Sequence, residues 1–398
     1  MAATPILVTG GYDDTIKVWN AHKGDCFRSI PCTDSHINCI EFSPDRSVFA
    51  VGGNPLVKFF PVEAVSSSAA NHPSASYDGH SGNVTSLGFE ARGNWFFTCS
   101  EDGTAKIWDC RAEGYQMYYE TVGVALHSAV LHPNQAELVM GDQQGNVLFW
   151  NLVANRVQMS LSPESGVAIK SVAVSPDASF YSAANHNGII HLWRSLPDGS
   201  LEPLHKIAGH NNYILKCAFS PKSNHLATTS ADGTVILWRA HLNSFARETT
   251  LIGHRRWVWD CVFSCDGAYV LTASSDHTCI LWDVKSGQRC IEFAGHSKAV
   301  TALALWDQAE TPASSGVPGP DSGTDASESD VGIATGGDKS DLASSSGEFE
   351  EGEREDEEDG GDDEDDEGEG ETESDANQTV ESERKEELRD PPERSHGS

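Results

Sequence analysis

No stretch of this chain stays apolar for the roughly 18 residues that a membrane-crossing helix needs. The first residues, MAATPILVTGG, lack the charged start and long apolar centre of a secretion leader, so none is expected. The ten cysteines are scattered, with no Cys-x-x-Cys pair and no His/Cys cluster at zinc spacing. Cys39, Cys217 and Cys261 sit inside apolar runs, as small buried hydrophobes of a reducing compartment do. A cytoplasmic protein is expected, reaching endomembranes only peripherally through a complex, with no metal and no cofactor. Basic runs are missing too. The formal net charge is −33, which disfavours a nucleic-acid partner, since phosphate recognition wants concentrated Lys and Arg.

The negative charge is concentrated at one end. From residue 301 onward there are 33 Asp+Glu against 6 Lys+Arg, so 27 of the 33 excess charges lie in the last quarter of the chain. The first 300 residues are only mildly acidic. Helical periodicity is absent there. Instead a short β-rich run ending in an aromatic recurs, as in TIKVWN, TAKIWD, NVLFWN, IIHLWR, TVILWR and TCILWD, with LVKFFP as a degenerate copy. The key aromatics are Trp19, Phe60, Trp108, Trp150, Trp193, Trp238 and Trp282, spaced by 41, 48, 42, 43, 45 and 44 residues. A four-stranded propeller blade takes about 40–45 residues. The longer gap contains EAVSSSAANHPSAS, which reads as a loop insertion. Seven such units predict an all-β, seven-bladed β-propeller, each sheet burying its faces against its neighbours.

Three units share a stricter grammar. His80, Ser100, Asp102 and Trp108 recur at identical offsets as His210, Ser230, Asp232 and Trp238, and as His254, Ser274, Asp276 and Trp282. This resembles the structural tetrad of WD-repeat blades, in which Asp meets His, His meets Ser, and Ser meets the Trp indole. A Ser-His-Asp catalytic reading fails on repetition, because a catalytic constellation is normally unique in a fold. No enzymatic activity is expected. The blades of Phe60, Trp150 and Trp193 carry Asn54, Gln144 and Asn187 at the Asp position, and apolar packing alone is expected to hold them.

The two ends should complete one blade. The chain opens with ILVTGG and TIKVWN, a blade's second and third strands, and AVTALAL follows the last repeat as a lone first strand. Strand 299–305 should therefore close the N-terminal blade and end a propeller domain over 1–306. His296 should join Asp13 and Trp19 there. Gly11 occupies the Ser position, so that tetrad is expected to be incomplete.

Side chains three and five places after each loop His should face the mouth of the central channel. These include Asn83 and Thr85, Tyr213 and Leu215, and Trp257 and Trp259, with His36 and Asn38 in the blade that lacks the loop His and is aligned by its Phe before Ser-Pro. The run His-Arg-Arg-Trp-Val-Trp-Asp stands out, because Arg255, Arg256, Trp257 and Trp259 are of the types that most often carry interface energy. With Tyr213 and Leu215 one blade away, a contiguous partner-binding patch is expected.

Several segments are more specific than the repeat. AGHNNYILKCAFS, GHRRWVWDCVFSCDGAYVLTASSDHT, LHPNQAEL with GDQQGNV, GGNPLVKFF and YDGHSGNVTSLGF resemble one family, the small WD-repeat subunit of the TOR kinase complexes, also called G-protein-beta-subunit-like protein. The resemblance runs from about residue 5 to about residue 310. It implies a non-catalytic scaffold, monomeric within a hetero-complex, that binds and stabilises the TOR kinase catalytic domain through one propeller face alongside other TOR-complex subunits. The family's contact aromatics match Trp257 and Trp259, and a polar contact matches His36. The alternatives are a general WD-repeat scaffold or adaptor, G-beta-like or associated with chromatin or a ubiquitin ligase. A first strand at about residue 6 leaves no room for the N-terminal helix of a G-protein beta subunit, and no F-box-like module is visible.

The tail, 307–398, departs from the family. Low hydrophobicity and high charge in segments such as EFEEGEREDEEDGGDDEDDEGEGETESD predict disorder. It reads as a solubilising extension, an arm for a basic partner or a phosphorylation platform, with acid-flanked Thr372 and Ser374.

Overall fold

Each repeat folds as strands because short β-branched and aromatic runs are bounded by turns whose residues tolerate them; the outer strands alternate between core and surface, while the middle strands are buried on both faces between blades. In the strand Thr104–Asp109 (TAKIWD), the central residues are buried and both ends reach the surface. The turn before it closes on Gly103, whose φ of 80° lies in the left-handed region that favours glycine. A computed structural model describes residues 5–32, 35–62, 72–112, 114–241 and 244–307. The predicted tail lies outside the described residues from 308 onward, and the predicted loop insertion does so over 63–71.

The strands form seven four-stranded antiparallel sheets. Blade 1 joins the strands Ile6–Gly11, Thr15–Asn20 and Cys26–Pro31 to Val300–Trp306. Blades 2 to 7 follow in chain order over 39–77, 84–120, 126–161, 169–208, 214–252 and 258–294. The innermost strands neighbour one another in sequence around the ring, and Val300–Trp306 contacts both Val258–Phe263 and Cys39–Phe42, so the ring closes. The chain is an all-β seven-bladed propeller.

Closure is the paired arrangement read from the termini. Ile6 faces Trp306, Leu7 faces Leu305, Val8 faces Ala304 and Thr9 faces Leu303. An otherwise open edge is thereby paired within the molecule. The core lies between blades. The Trp19, Leu271, Ala273 and Phe293 side chains pack between blades 1 and 7, and Ile16, Ile37, Phe49 and Ala302 pack between blades 1 and 2.

Candidate functional site

The recurring His and Asp first decide what holds the blade edges in place. In blade 3, His80 Nδ1 lies 2.9 Å from Asp102 Oδ2, His80 Nε2 lies 2.7 Å from Thr98 Oγ1, and Trp108 Nε1 donates to the same oxygen at 2.8 Å. Blade 6 repeats this with His210, Asp232, Thr228 and Trp238. Blade 7 repeats it with His254, Asp276, Thr272 and Trp282. An imidazole protonated on Nδ1 lets each group donate to the next, from indole to hydroxyl to imidazole to carboxylate.

The hydroxyl member is thus threonine, and the reading of Ser100, Ser230 and Ser274 as tetrad members is corrected. Register gives the reason. Lys106 faces Thr98 and Trp108 faces Phe96, so Thr98 lies two residues along from the tryptophan's position. Ser100 lies four along, about 13 Å at 3.3 Å per residue, which is beyond the reach of an indole. The serines instead cap the turn. Ser100, Ser230 and Ser274 Oγ accept from the backbone N–H of Asp102, Asp232 and Asp276 at 3.1, 3.0 and 3.1 Å.

The expectation of an incomplete tetrad in blade 1 is corrected for the same reason. His296 Nδ1 meets Asp13 at 2.9 Å, its Nε2 meets Thr9 Oγ1 at 2.8 Å, and Trp19 Nε1 donates to Thr9 Oγ1 at 2.8 Å. Thr9 takes the role, so Gly11 costs nothing. A Cβ at Gly11 would stand 2.1 Å from the Ala299 carbonyl oxygen, so the closing strand requires glycine there.

Apolar packing alone does not hold the blades without this network. In blade 5, Glu164 accepts from Asn185 Nδ2 at 3.3 Å and Asn187 Nδ2 at 3.4 Å, and pairs with Lys206 at 3.1 Å. In blade 4, Asp142 accepts from both the backbone N–H and the side chain of Asn146, and Trp150 Nε1 donates to Asn155. Blade 2 comes nearest to the expectation, with Phe60 stacked on Phe49 at 5.5 Å.

Each network sets a charge. Burial pushes the carboxyl of Asp102 up, but the bonds from His80, Thr104 and the Ser81 N–H outweigh it and hold it well below the usual carboxylate range. The same balance holds for Asp13, Asp232 and Asp276. These groups are consumed in binding one another, which is what a structural role requires.

The channel mouth is built differently. Five of the innermost strands carry a bulge near their start, between Val84 and Ser86, Leu126 and Ser128, Ile169 and Ser171, Ile214 and Lys216, and Val258 and Asp260. A bulge re-aims the extra residue, here Thr85, His127, Lys170, Leu215 and Trp259. Trp257 and Trp259 are both half-buried, with ring centroids 5.5 Å apart. Tyr213 meets Trp257 edge-on at 5.8 Å, and Leu215 is half-buried on the strand beginning next to it.

Two further rings extend this patch. Tyr12 lies 6.3 Å from Trp259 and 5.0 Å from His36, and His186 stacks on Tyr213 at 3.8 Å. The result is an unbroken aromatic arc, His186–Tyr213–Trp257–Trp259–Tyr12–His36, across blades 5, 6, 7, 1 and 2. Sequence reasoning missed Tyr12 and His186. A signal was present, since each stands seven residues before its blade's tryptophan, as Glu101 and Ser275 do. Arg255 and Arg256 are exposed beside the arc. Asn83 lies outside it and donates to Glu101 at 2.6 Å within its own blade.

Beneath the mouth, Asp260 pairs with Lys216 at 3.4 Å and accepts from the Leu303 N–H at 3.1 Å, tying blades 6, 7 and 1. Glu41 opens onto solvent but is surrounded by protein at longer range. That desolvation, opposed by Lys216, pushes its carboxyl up to about 7. Among the described residues no group of three or more His, Cys, Asp or Glu could hold a metal, and no helix is long and apolar enough to cross a membrane.

Comparison with known proteins covers the same ring. The family "WD domain, G-beta repeat" matches residues 3–20, 24–60, 71–109, 201–239 and 246–283. Over 305 residues the chain is 44% identical to "Target of rapamycin complex subunit wat1" of Schizosaccharomyces pombe, covering 76% of this chain and 96% of that protein. The chain belongs to the LST8 family. It is also 41% identical over 309 residues to "Protein LST8 homolog" of Drosophila melanogaster, covering 76% of this chain and 96% of that one. With "Target of rapamycin complex subunit LST8" of Bos taurus it shares 40% identity over 253 residues, 62% of this chain and 76% of the other. In this LST8-family propeller, blade 4 and most of blade 5 escape the repeat match. Those are two of the blades that replace the tetrad with other polar networks.

Proposed function

We propose that this chain is a non-catalytic scaffold subunit of a TOR kinase complex, and that its aromatic arc docks the kinase catalytic domain and stabilises it. The observation that carries the reading is the unbroken run of rings from His186 to His36, half-buried from His186 to Tyr12 and exposed at His36. Half-buried tryptophan and tyrosine flanked by exposed arginine have the composition of an interface hot spot. Two relatives at 40% identity or more are named as target of rapamycin complex subunits, which supports the choice of partner. The protein would act in the cytoplasm, as one copy within a hetero-complex.

The test is co-purification from cells. Trp257→Ala combined with Trp259→Ala is expected to abolish recovery of the kinase while the circular dichroism spectrum stays that of the parent. Undiminished recovery would refute the site. Recovery of a G-protein gamma subunit or a ubiquitin ligase in place of the kinase would favour a general adaptor role.

A further inference from the structure

One hydroxyl group in the mouth does more than the fold asks of it. Trp259 Nε1 donates to Ser275 Oγ at 2.7 Å, and the Ser275 backbone N–H donates to the Trp257 carbonyl at 2.9 Å. Ser275 is only 4% exposed and follows Ser274 in the turn that also carries Asp276. It therefore grips both docking tryptophans, one through the backbone and one through the indole.

The backbone half of this grip is generic. In blade 6 the N–H of Ala231, at the equivalent place, donates to the Tyr213 carbonyl at 3.0 Å, and in blade 3 the N–H of Glu101 donates to the Asn83 carbonyl at 2.9 Å. The hydroxyl half is not. Blade 6 presents Leu215 at the mouth, which has no polar atom, and the turn residue there is alanine. Blade 3 presents Thr85, whose hydroxyl donates to the carbonyls of Cys99 and Leu126. Only blade 7 presents an indole N–H at this place, and its turn residue carries the acceptor.

We propose that Ser275 is a positioning residue for docking, locking the Trp259 indole in the one rotamer that offers its face to the partner between Trp257 and Tyr12. The proposal rests on the docking reading above. An indole can sit in the same space with its ring turned over, and then its N–H points elsewhere. The bond to Ser275 selects one of the two orientations. Freezing a hot-spot ring before the partner arrives removes an ordering cost that binding would otherwise carry.

The experiment measures the affinity of purified Ser275→Ala protein for the purified TOR kinase catalytic domain, its thermal midpoint and the indole N–H resonances of ¹⁵N-labelled protein. One neutral hydrogen bond corresponds to about a fivefold loss of affinity. That loss is expected with an unchanged midpoint and a displaced Trp259 indole resonance. Unchanged affinity overturns the proposal. A fall in affinity that tracks a lowered midpoint also overturns it, because Ser275 is then a packing residue. Trp257→Ala with Trp259→Ala is run alongside. If that protein loses the kinase and Ser275→Ala does not, positioning fails while docking stands; if neither loses it, the docking reading itself fails.

Discussion

Thr98 shows how much a single register position decides. It accepts from Trp108 and meets His80, so two buried polar groups depend on one hydroxyl. Thr98→Val keeps the shape and removes both bonds, leaving a buried indole N–H without an acceptor. The expected cost is about 1–3 kcal/mol in urea unfolding. Ser100→Ala removes only a turn cap and should cost clearly less, about 0.5–1 kcal/mol. Equal losses would restore serine to the tetrad. The serine offset was visible because it recurs at fixed spacing, whereas the threonine recurs just as regularly two places earlier and drew no notice. Spacing finds what repeats; the reach of an indole along a strand selects which repeat is bonded.

Among the blades, four carry the Trp–Thr–His–Asp chain and three use other means. The four aspartates have carboxyls held far below the ordinary value of 3.8. A depressed carboxylate contributes stability that is fully present above its unfolded value and is lost as pH falls through the folded one. Stability should therefore hold at neutral pH and decline from about pH 4 downward. Amide exchange at pH 3 should rise first in blades 1, 3, 6 and 7. Asp102→Asn should lower stability at pH 7 by about 2 kcal/mol, the worth of hydrogen bonds to a charged group, and should flatten the acid limb. An unchanged acid limb would show that the carboxylate is not linked to folding. The substitute networks of blades 4 and 5 were not legible in advance. Glu164 reaches Asn185, Asn187 and Lys206 from a loop well before them, at sequence separations of 21, 23 and 42 that match no tetrad pair of the other blades.

At the level of the whole molecule, one strand holds the ring shut. A chain ending before His296 would leave Ile6–Gly11 with an unpaired edge and Asp13 without its histidine partner. Such a truncation should lose the cooperative unfolding transition and self-associate through the exposed edge, as size-exclusion chromatography and calorimetry would show. A monomer with an unchanged transition would mean that closure contributes little. By itself the sequence determined the sheet unit, its seven copies and the pairing of both ends, because the strand-and-turn pattern, its 41–48-residue spacing and the incomplete unit left at each end are all written along the chain. It also singled out Trp257, Trp259, Tyr213 and His36 as one expected patch, by their place before each innermost strand. Only the tertiary structure decided that these side chains join Tyr12 and His186 into one continuous arc. Ring closure puts residues 12, 36 and 259 side by side, and a break in strand register takes Trp259 out of the ladder. Adjacency across a closed ring depends on rigid packing between blades, and no spacing along the chain records it.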